Sequence, residues 1–237
     1  MESKDRLIFA LDVESLNEAE DWVCRLKDYA GVFKVGKELF TRCGPEVVEK
    51  ILNYGSKVFL DLKFHDIPTT AAKAGIQAAK LGVSIFNVHA FGGREMMAKV
   101  ADEVKNVCVK DNIKKPLIMA VTILTSLGEK DIKELGINRS LPDEVVYLAK
   151  LAMDCGLDGV VCSPKEIGLI KGECGKDFKV ITPGIRSSHD APDDQKRSAT
   201  ASEAIKLGAD FIVVGRPIRS SPDPVEAARK ILEEIEN

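Results

Sequence analysis

Short apolar runs alternate with helix-like segments eight times along this chain, and that rhythm constrains the fold more than any other feature. The runs cover residues 7–13, 32–35, 57–62, 84–89, 117–123, 159–162, 180–182 and 211–214, and are rich in Val, Ile, Leu and Phe at successive positions. A strand with one wet face alternates apolar and polar residues. A strand that is apolar at successive positions is covered on both faces, as in a parallel sheet between helices. The segments between the runs, 17–29, 45–52, 70–81, 94–110, 143–155, 165–170, 199–207 and 224–235, read as helices. Ser15 is a candidate N-cap for the first, and Asp223 before Pro224 marks the start of the last. Leu81-Gly82, Cys155-Gly156 and Leu207-Gly208 end helices on a glycine that leads into the next strand.

Eight β-α units in 237 residues, with no linker and no break in composition, predict a single (β/α)8 barrel spanning residues 1–237. A doubly wound open sheet is the alternative. It usually carries a glycine-rich first turn, whereas here the first strand runs out into Leu11-Asp12-Val13-Glu14.

In such a barrel the chemistry lies at the carboxyl ends of the strands. Reading past each run in turn collects Asp12, Lys34, Asp61, Lys63, Asp66, His89, Thr122, Thr125, Arg186, Gly215 and Arg216. The expectation is that charged and polar groups converge on one mouth. The densest cluster follows the third strand, where Asp61 and Lys63 are two apart and share a side of an extended chain. Asp66 comes three later, where Pro68 is expected to end regular structure. Three charges leaving a buried strand are costly to desolvate unless paired, and such groupings mark functional sites. The plainer alternative is a strand-end salt bridge between Asp61 and Lys63.

The loops after strands 7 and 8 suggest a phosphate grip. Gly215 would let backbone N–H groups approach an anion, while Arg216 and Arg186 add charge. Arg186 belongs to a long polar loop, 185–199, of the kind that often forms a lid. The alternatives are a tight turn and an ordinary surface loop.

Composition excludes several classes. The net charge of -3 gives no basic footprint for nucleic acid. No apolar run approaches the roughly 20 residues that span a bilayer. The charged start, Met1 to Arg6, runs directly into a strand and does not read as a signal peptide. The six cysteines have neither C-x-x-C nor zinc-like spacing, so buried thiols in a reducing cytoplasm are expected. His65, His89 and His189 are too scattered to read as a metal site.

Together these residues resemble the orotidine 5'-phosphate decarboxylase family, whose D-x-K-x-x-D-I-P-x-T signature matches Asp61-Leu62-Lys63-Phe64-His65-Asp66-Ile67-Pro68-Thr69-Thr70. Support comes from Ala10-Leu11-Asp12, Phe33-Lys34-Val35-Gly36, Asn87-Val88-His89-Ala90, Val121 to Ser126, Thr182 to Arg186, Asp193-Asp194-Gln195 and Val214-Gly215-Arg216. The resemblance implies a barrel that removes CO2 from orotidine 5'-monophosphate without metal or other cofactor. It implies a charged network of Lys34, Asp61 and Lys63 completed by Asp66 of a second subunit, hence a homodimer with shared sites. Lys63 would be the proton donor. Asp12, Lys34 and the other subunit's Thr70 would hold ribose hydroxyls, and its Ile67 would line the pocket. Thr125 would lie near the pyrimidine, and Arg186, Gln195, Gly215 and Arg216 would hold the phosphate. Two other functions compete: a metal-dependent sugar-phosphate decarboxylase, aldolase or epimerase, and a catalytically silent nucleotide-phosphate binder. The silent binder would have no need of Lys63 between two aspartates.

Overall fold

The strand runs do form strands, and they close on themselves. A computed structural model describes residues 2–186 and 199–236. In it β1 (Leu7–Leu11), β2 (Val32–Gly36), β3 (Lys57–Phe64), β4 (Ile85–His89), β5 (Leu117–Val121), β6 (Gly159–Val161), β7 (Lys179–Thr182) and β8 (Phe211–Val214) form a closed barrel in chain order. Every pairing is parallel, and β8 returns to β1 through Leu7↔Ile212 and Phe9↔Val214. This is the (β/α)8 barrel expected from the sequence.

Its core has two layers. The alternation of side chains sends Ile8, Val32, Phe59, Ile85, Met119, Ile181 and Phe211 into the barrel. The other strand face packs against the helices, with Phe9, Phe33, Leu60, Phe86, Ile118 and Val180 among the contacts. At Gly159 a Cβ would collide with the Lys179 carbonyl, so only glycine admits the approach of β7 to β6.

Caps explain where helices begin. The Ser15 hydroxyl accepts the Glu18 N–H, and the Asp223 carboxylate accepts that of Glu226. Thr200 and Glu203 bond reciprocally as a capping box, so this helix begins at Ala201, two residues later than expected. Gly82, Gly156 and Gly208 all have positive φ past a helix end.

Three short helices escape the sequence pattern: Lys37–Cys43, Glu129–Glu134 and Arg216–Arg219. Each has seven residues or fewer, too short to show a helical period. Pro68 does not end regular structure. β3 runs on to Phe64, and Pro68 opens the helix Pro68–Lys80 at its first turn, where its missing N–H costs nothing. Of the six cysteines only Cys108, Cys155 and Cys162 are buried, and none of the six forms a disulfide.

Candidate active site

The same alternation that fills the barrel with apolar side chains places charge one layer higher. Ala10 pairs with Lys34, Lys34 with Phe59, and Phe59 with Ile85. Two residues on from Phe59 and Ile85, on the same inner face, stand Asp61 and Asn87. Lys34 Nζ lies 3.4 Å from Asp12 Oδ1 and 3.6 Å from Asp61 Oδ2. Lys63 Nζ lies 2.6 Å from Asp61 Oδ1. Two ammonium groups and two carboxylates thus form a chain, Asp12–Lys34–Asp61–Lys63, whose formal charges cancel. The Lys34 and Asp61 side chains are largely buried, and that of Lys63 is partly so.

Lys63 reaches this position through an irregularity. β3 and β4 pair at Leu60↔Phe86 and next at Phe64↔Val88. Four steps on β3 therefore match two on β4, and the chain bulges between them. Lys63 takes φ 54°, a left-handed conformation that costs a residue with a Cβ about 1–2 kcal/mol. Asn87 spans the bulge. Its Oδ1 accepts the Lys63 backbone N–H at 2.8 Å, and its Nδ2 donates to Asp61 Oδ1 at 2.7 Å.

A cavity of about 820 Å3 opens beside this chain, with Asp12, Lys34, Arg186, Gly215 and Arg216 in its wall. Gly215 closes β8 tightly, since a Cβ there would stand 3.3 Å from Ala10 Cβ and 3.4 Å from Asp12 Oδ2. Arg216 is exposed at the start of its helix, and Arg219, one turn on, donates to the Asp12 carbonyl and ties the two loops together. The ends of the long loop meet where Arg186 N–H bonds Ala199 O at 3.0 Å. Gln195 and His189 lie outside the described residues.

Asp61 and Lys63 are not themselves in that wall, and the remaining expected site residues also stand apart from the cavity. Asp66, Ile67 and Thr70 are exposed, Ile67 by 67%. Among the described residues Asp66 makes no ion pair, and its carboxylate accepts only the N–H of Ile67. Thr125 is half-buried in the turn after β5. Thr122 is fully buried and donates to the Val161 carbonyl, which joins β5 to β6.

His65 and His89, read from sequence as scattered, are stacked with ring centroids 5.4 Å apart, and Phe91 also stacks on His89. Burial lowers the His89 pKa to about 4, helped by His65, Lys63 and Lys37 nearby. No group of three or more metal-ligating side chains occurs among the described residues.

Asn87 and Arg219 are the functional candidates that sequence reasoning passed over. Asn87 did carry a signal, as an amide between apolar neighbours on the inner face of a buried strand. Arg219 is legible only once the short helix is known.

Comparison with known proteins converges on one group. The model of the family described as "Orotidine 5'-phosphate decarboxylase / HUMPS family" matches residues 5–231. A protein of Syntrophotalea carbinolica named orotidine 5'-phosphate decarboxylase is 55% identical over 235 residues, covering 99% of this chain and 96% of its own. One of the same name from Geotalea daltonii is 50% identical over 234 residues, covering 99% and 97%. The crystal structure of orotidine 5'-phosphate decarboxylase from Lactobacillus acidophilus superposes with a TM-score of 0.87 at 35% identity, covering 98% of this chain and all of that one. No helix among the described residues is long and apolar enough to cross a membrane.

Proposed function

Because this chain belongs to the orotidine 5'-phosphate decarboxylase / HUMPS family, we propose that its barrel mouth binds orotidine 5'-monophosphate and that Lys63 carries the reaction. The chain converts orotidine 5'-monophosphate to uridine 5'-monophosphate, a decarboxylation of pyrimidine nucleotide synthesis. The observation that carries the mechanistic reading is the Asp12–Lys34–Asp61–Lys63 chain beside a cavity with arginines in its wall.

Loss of CO2 from C6 leaves a vinyl carbanion, whose electron pair lies in the ring plane and cannot spread into the π system. Stabilisation must come from fixed charge. An ammonium beside C6 supplies it, and in a water-poor site its field is worth far more than in water. Lys63 then gives a proton to the carbanion and becomes a neutral amine, which solvent reprotonates. Asp61 keeps Lys63 charged and directed toward C6. Lys34 and Asp12 bind ribose hydroxyls, and Thr125 lies near the base. Arg186, Arg216, the Gly215 backbone and Gln195 take the phosphate. Binding energy from that remote group orders the site around the reacting carbon.

The functional unit is a homodimer working in the cytoplasm. Support for the dimer comes from the exposed stretch after β3, where Asp66 lacks an ion pair among the described residues and Ile67 is bare. A two-fold contact places the same residues reciprocally, so Asp66, Ile67 and Thr70 of a second copy complete each site. Support for the compartment comes from six cysteines, none of which forms a disulfide.

The test of the activity is the loss of orotidylate absorbance with excess chelator present. Full turnover is expected, and dependence on added metal would return the metal-dependent reading. The shared site is tested by mixing Lys63→Ala and Asp66→Asn proteins, each inactive alone. Re-equilibrated mixed dimers should recover up to about a quarter of wild-type activity. No recovery, once mass spectrometry proves that mixed dimers form, would assign Asp66 to its own subunit.

A further inference from the structure

We propose that Asn87 is a positioning residue for this reaction, a side-chain clamp that holds the β3 bulge and through it aims Lys63. This rests on the reading of Lys63 as the proton donor and adds the part that sets its geometry.

Three observations carry it. First, Asn87 is 1% exposed and sits between Phe86 and Val88, both fully buried. A buried amide in an apolar strand persists only where its hydrogen bonds are needed. Second, both ends of that amide go to the catalytic segment. The oxygen takes the Lys63 N–H, and the nitrogen binds Asp61 Oδ1. The break in register between Leu60↔Phe86 and Phe64↔Val88 takes β3 out of its ladder here, and the side chain of Asn87 supplies a partner for the Lys63 N–H.

Third, Asn87 Nδ2 and Lys63 Nζ converge on the same carboxylate oxygen, at 2.7 and 2.6 Å. The amide thereby fixes the rotation of the Asp61 carboxylate, with Oδ1 toward Lys63 and Oδ2 toward Lys34. Backbone and ammonium of Lys63 are thus held by one side chain, directly at one end and through Asp61 at the other. Without the clamp, residue 63 has no reason to stay at φ 54°. Its relaxation to ordinary backbone would swing the ammonium away from its place beside Asp61.

The test is steady-state kinetics on full-length Asn87→Ala and Asn87→Asp, with a crystal structure of the alanine variant. The phosphate and ribose contacts lie on other strands, so kcat should fall while KM stays within about threefold. Displacing a catalytic group by about an ångström costs on the order of 100-fold, and a loss of about 30-fold or more is the expected result. Residue 63 should move to negative φ. Asn87→Asp keeps an oxygen for the Lys63 N–H but loses the donor to Asp61 Oδ1 and sets a second carboxylate against it, so its kcat should fall as well. A smaller fall in kcat, a KM that rises in step with it, or an unchanged φ at residue 63 would overturn the proposal. Should Asn87→Ala fail to fold, Asn87→Asp decides: reduced kcat at unchanged KM supports the clamp, and unchanged kcat overturns it. Lys63→Ala separates the two layers of argument. If that variant turns over orotidylate, the underlying reading fails; if it is dead and Asn87→Ala is not slowed, only the clamp fails.

Discussion

Both ends of this barrel use an aspartate held between lysines, and they use it differently. At the amino-terminal end, Asp210 precedes β8 and accepts Lys171 Nζ at 2.7 Å, Lys179 Nζ at 3.0 Å and the Val180 backbone N–H at 2.9 Å. Asp158 repeats the device before β6, with Lys115 Nζ at 2.6 Å and the Ile118 N–H at 2.8 Å. Each aspartate bonds the second residue of the preceding strand, so each staples a strand pair, β5–β6 or β7–β8. At the carboxyl end, Asp61 accepts Lys63 and Asn87, with Lys34 close by, and takes no backbone N–H among the described residues. The lower carboxylates hold strands together, whereas the upper one holds a side chain in place.

The lysines differ in the same sense. An ammonium has three donors. Lys171 commits all three, to Asp210, the Lys176 carbonyl and the Phe178 carbonyl. Among the described residues the Lys63 ammonium bonds only Asp61. A saturated ammonium can brace a fold but has no proton directed at a ligand. One with donors to spare, partly open to a cavity-bearing mouth, can meet a developing charge. An Asp–Lys pair is therefore not by itself a catalytic signal, and the count of uncommitted donors separates the two kinds.

The sharpest way to break this comparison is Lys63→Ala. It removes the cation beside the carbanion and the proton donor together, so turnover should fall by at least about 1,000-fold, or about 4 kcal/mol of transition-state stabilisation. The fold should survive, because only one ion pair of a partly open side chain is lost. Activity above about a tenth of wild type, a loss of only about 1.4 kcal/mol, would remove Lys63 from the chemistry.

The converse experiment is Asp210→Asn. It removes the charge facing Lys171 and Lys179, two ion pairs whose carboxylate is only 14% exposed. Breaking pairs at that depth should cost about 2 kcal/mol of stability, lowering Tm by roughly 4–8 °C for a chain of this size. The value of kcat should stay within about twofold, since the end of the barrel opposite the mouth plays no part in binding. Calorimetry with an assay on the same preparation reads both, and a large kcat loss at unchanged Tm would erase the distinction between the two ends.

How much of this was legible beforehand follows from what is local. The barrel was legible because strand burial on both faces is written into successive apolar residues. Asp61, Lys63 and Lys34 were legible because polar residues at the carboxyl ends of such strands stand out. Reading only past the strand ends collected the charges of the mouth and passed over those of the lower end. Asp158 and Asp210 lie just before strands, and their lysines are 31–43 residues away in sequence. The bulge was not legible either. It arises from a register break between two strands, and nothing local to Lys63 announces a left-handed backbone at a lysine. The short helix Arg216–Arg219, which brings Arg219 to Asp12, was hidden by its length.

The smallest expected effect concerns pH, and it too belongs to the mouth. His89 is half-buried and stacks with His65 and Phe91, and burial holds its pKa at about 4, against an ordinary value of 6.5. The charged neighbours acting on it are His65, Lys63 and Lys37, all of which oppose its protonation. Between about pH 6.5 and 4 the unfolded chain binds a proton at this position and the folded chain does not. Stability therefore falls as pH drops through that window, and the contribution of His89 is intact above it. Replacing the ring with a side chain that does not titrate removes this term. His89→Gln should lose less Tm than wild type between pH 7 and pH 4.5. The difference should be small, roughly 2 °C, because solvent screens a ring that is only half covered. Parallel thermal melts at the two pH values measure it as a difference of differences, so any uniform cost of the substitution cancels. Identical Tm losses in the two proteins would mean that His89 titrates normally in the folded chain.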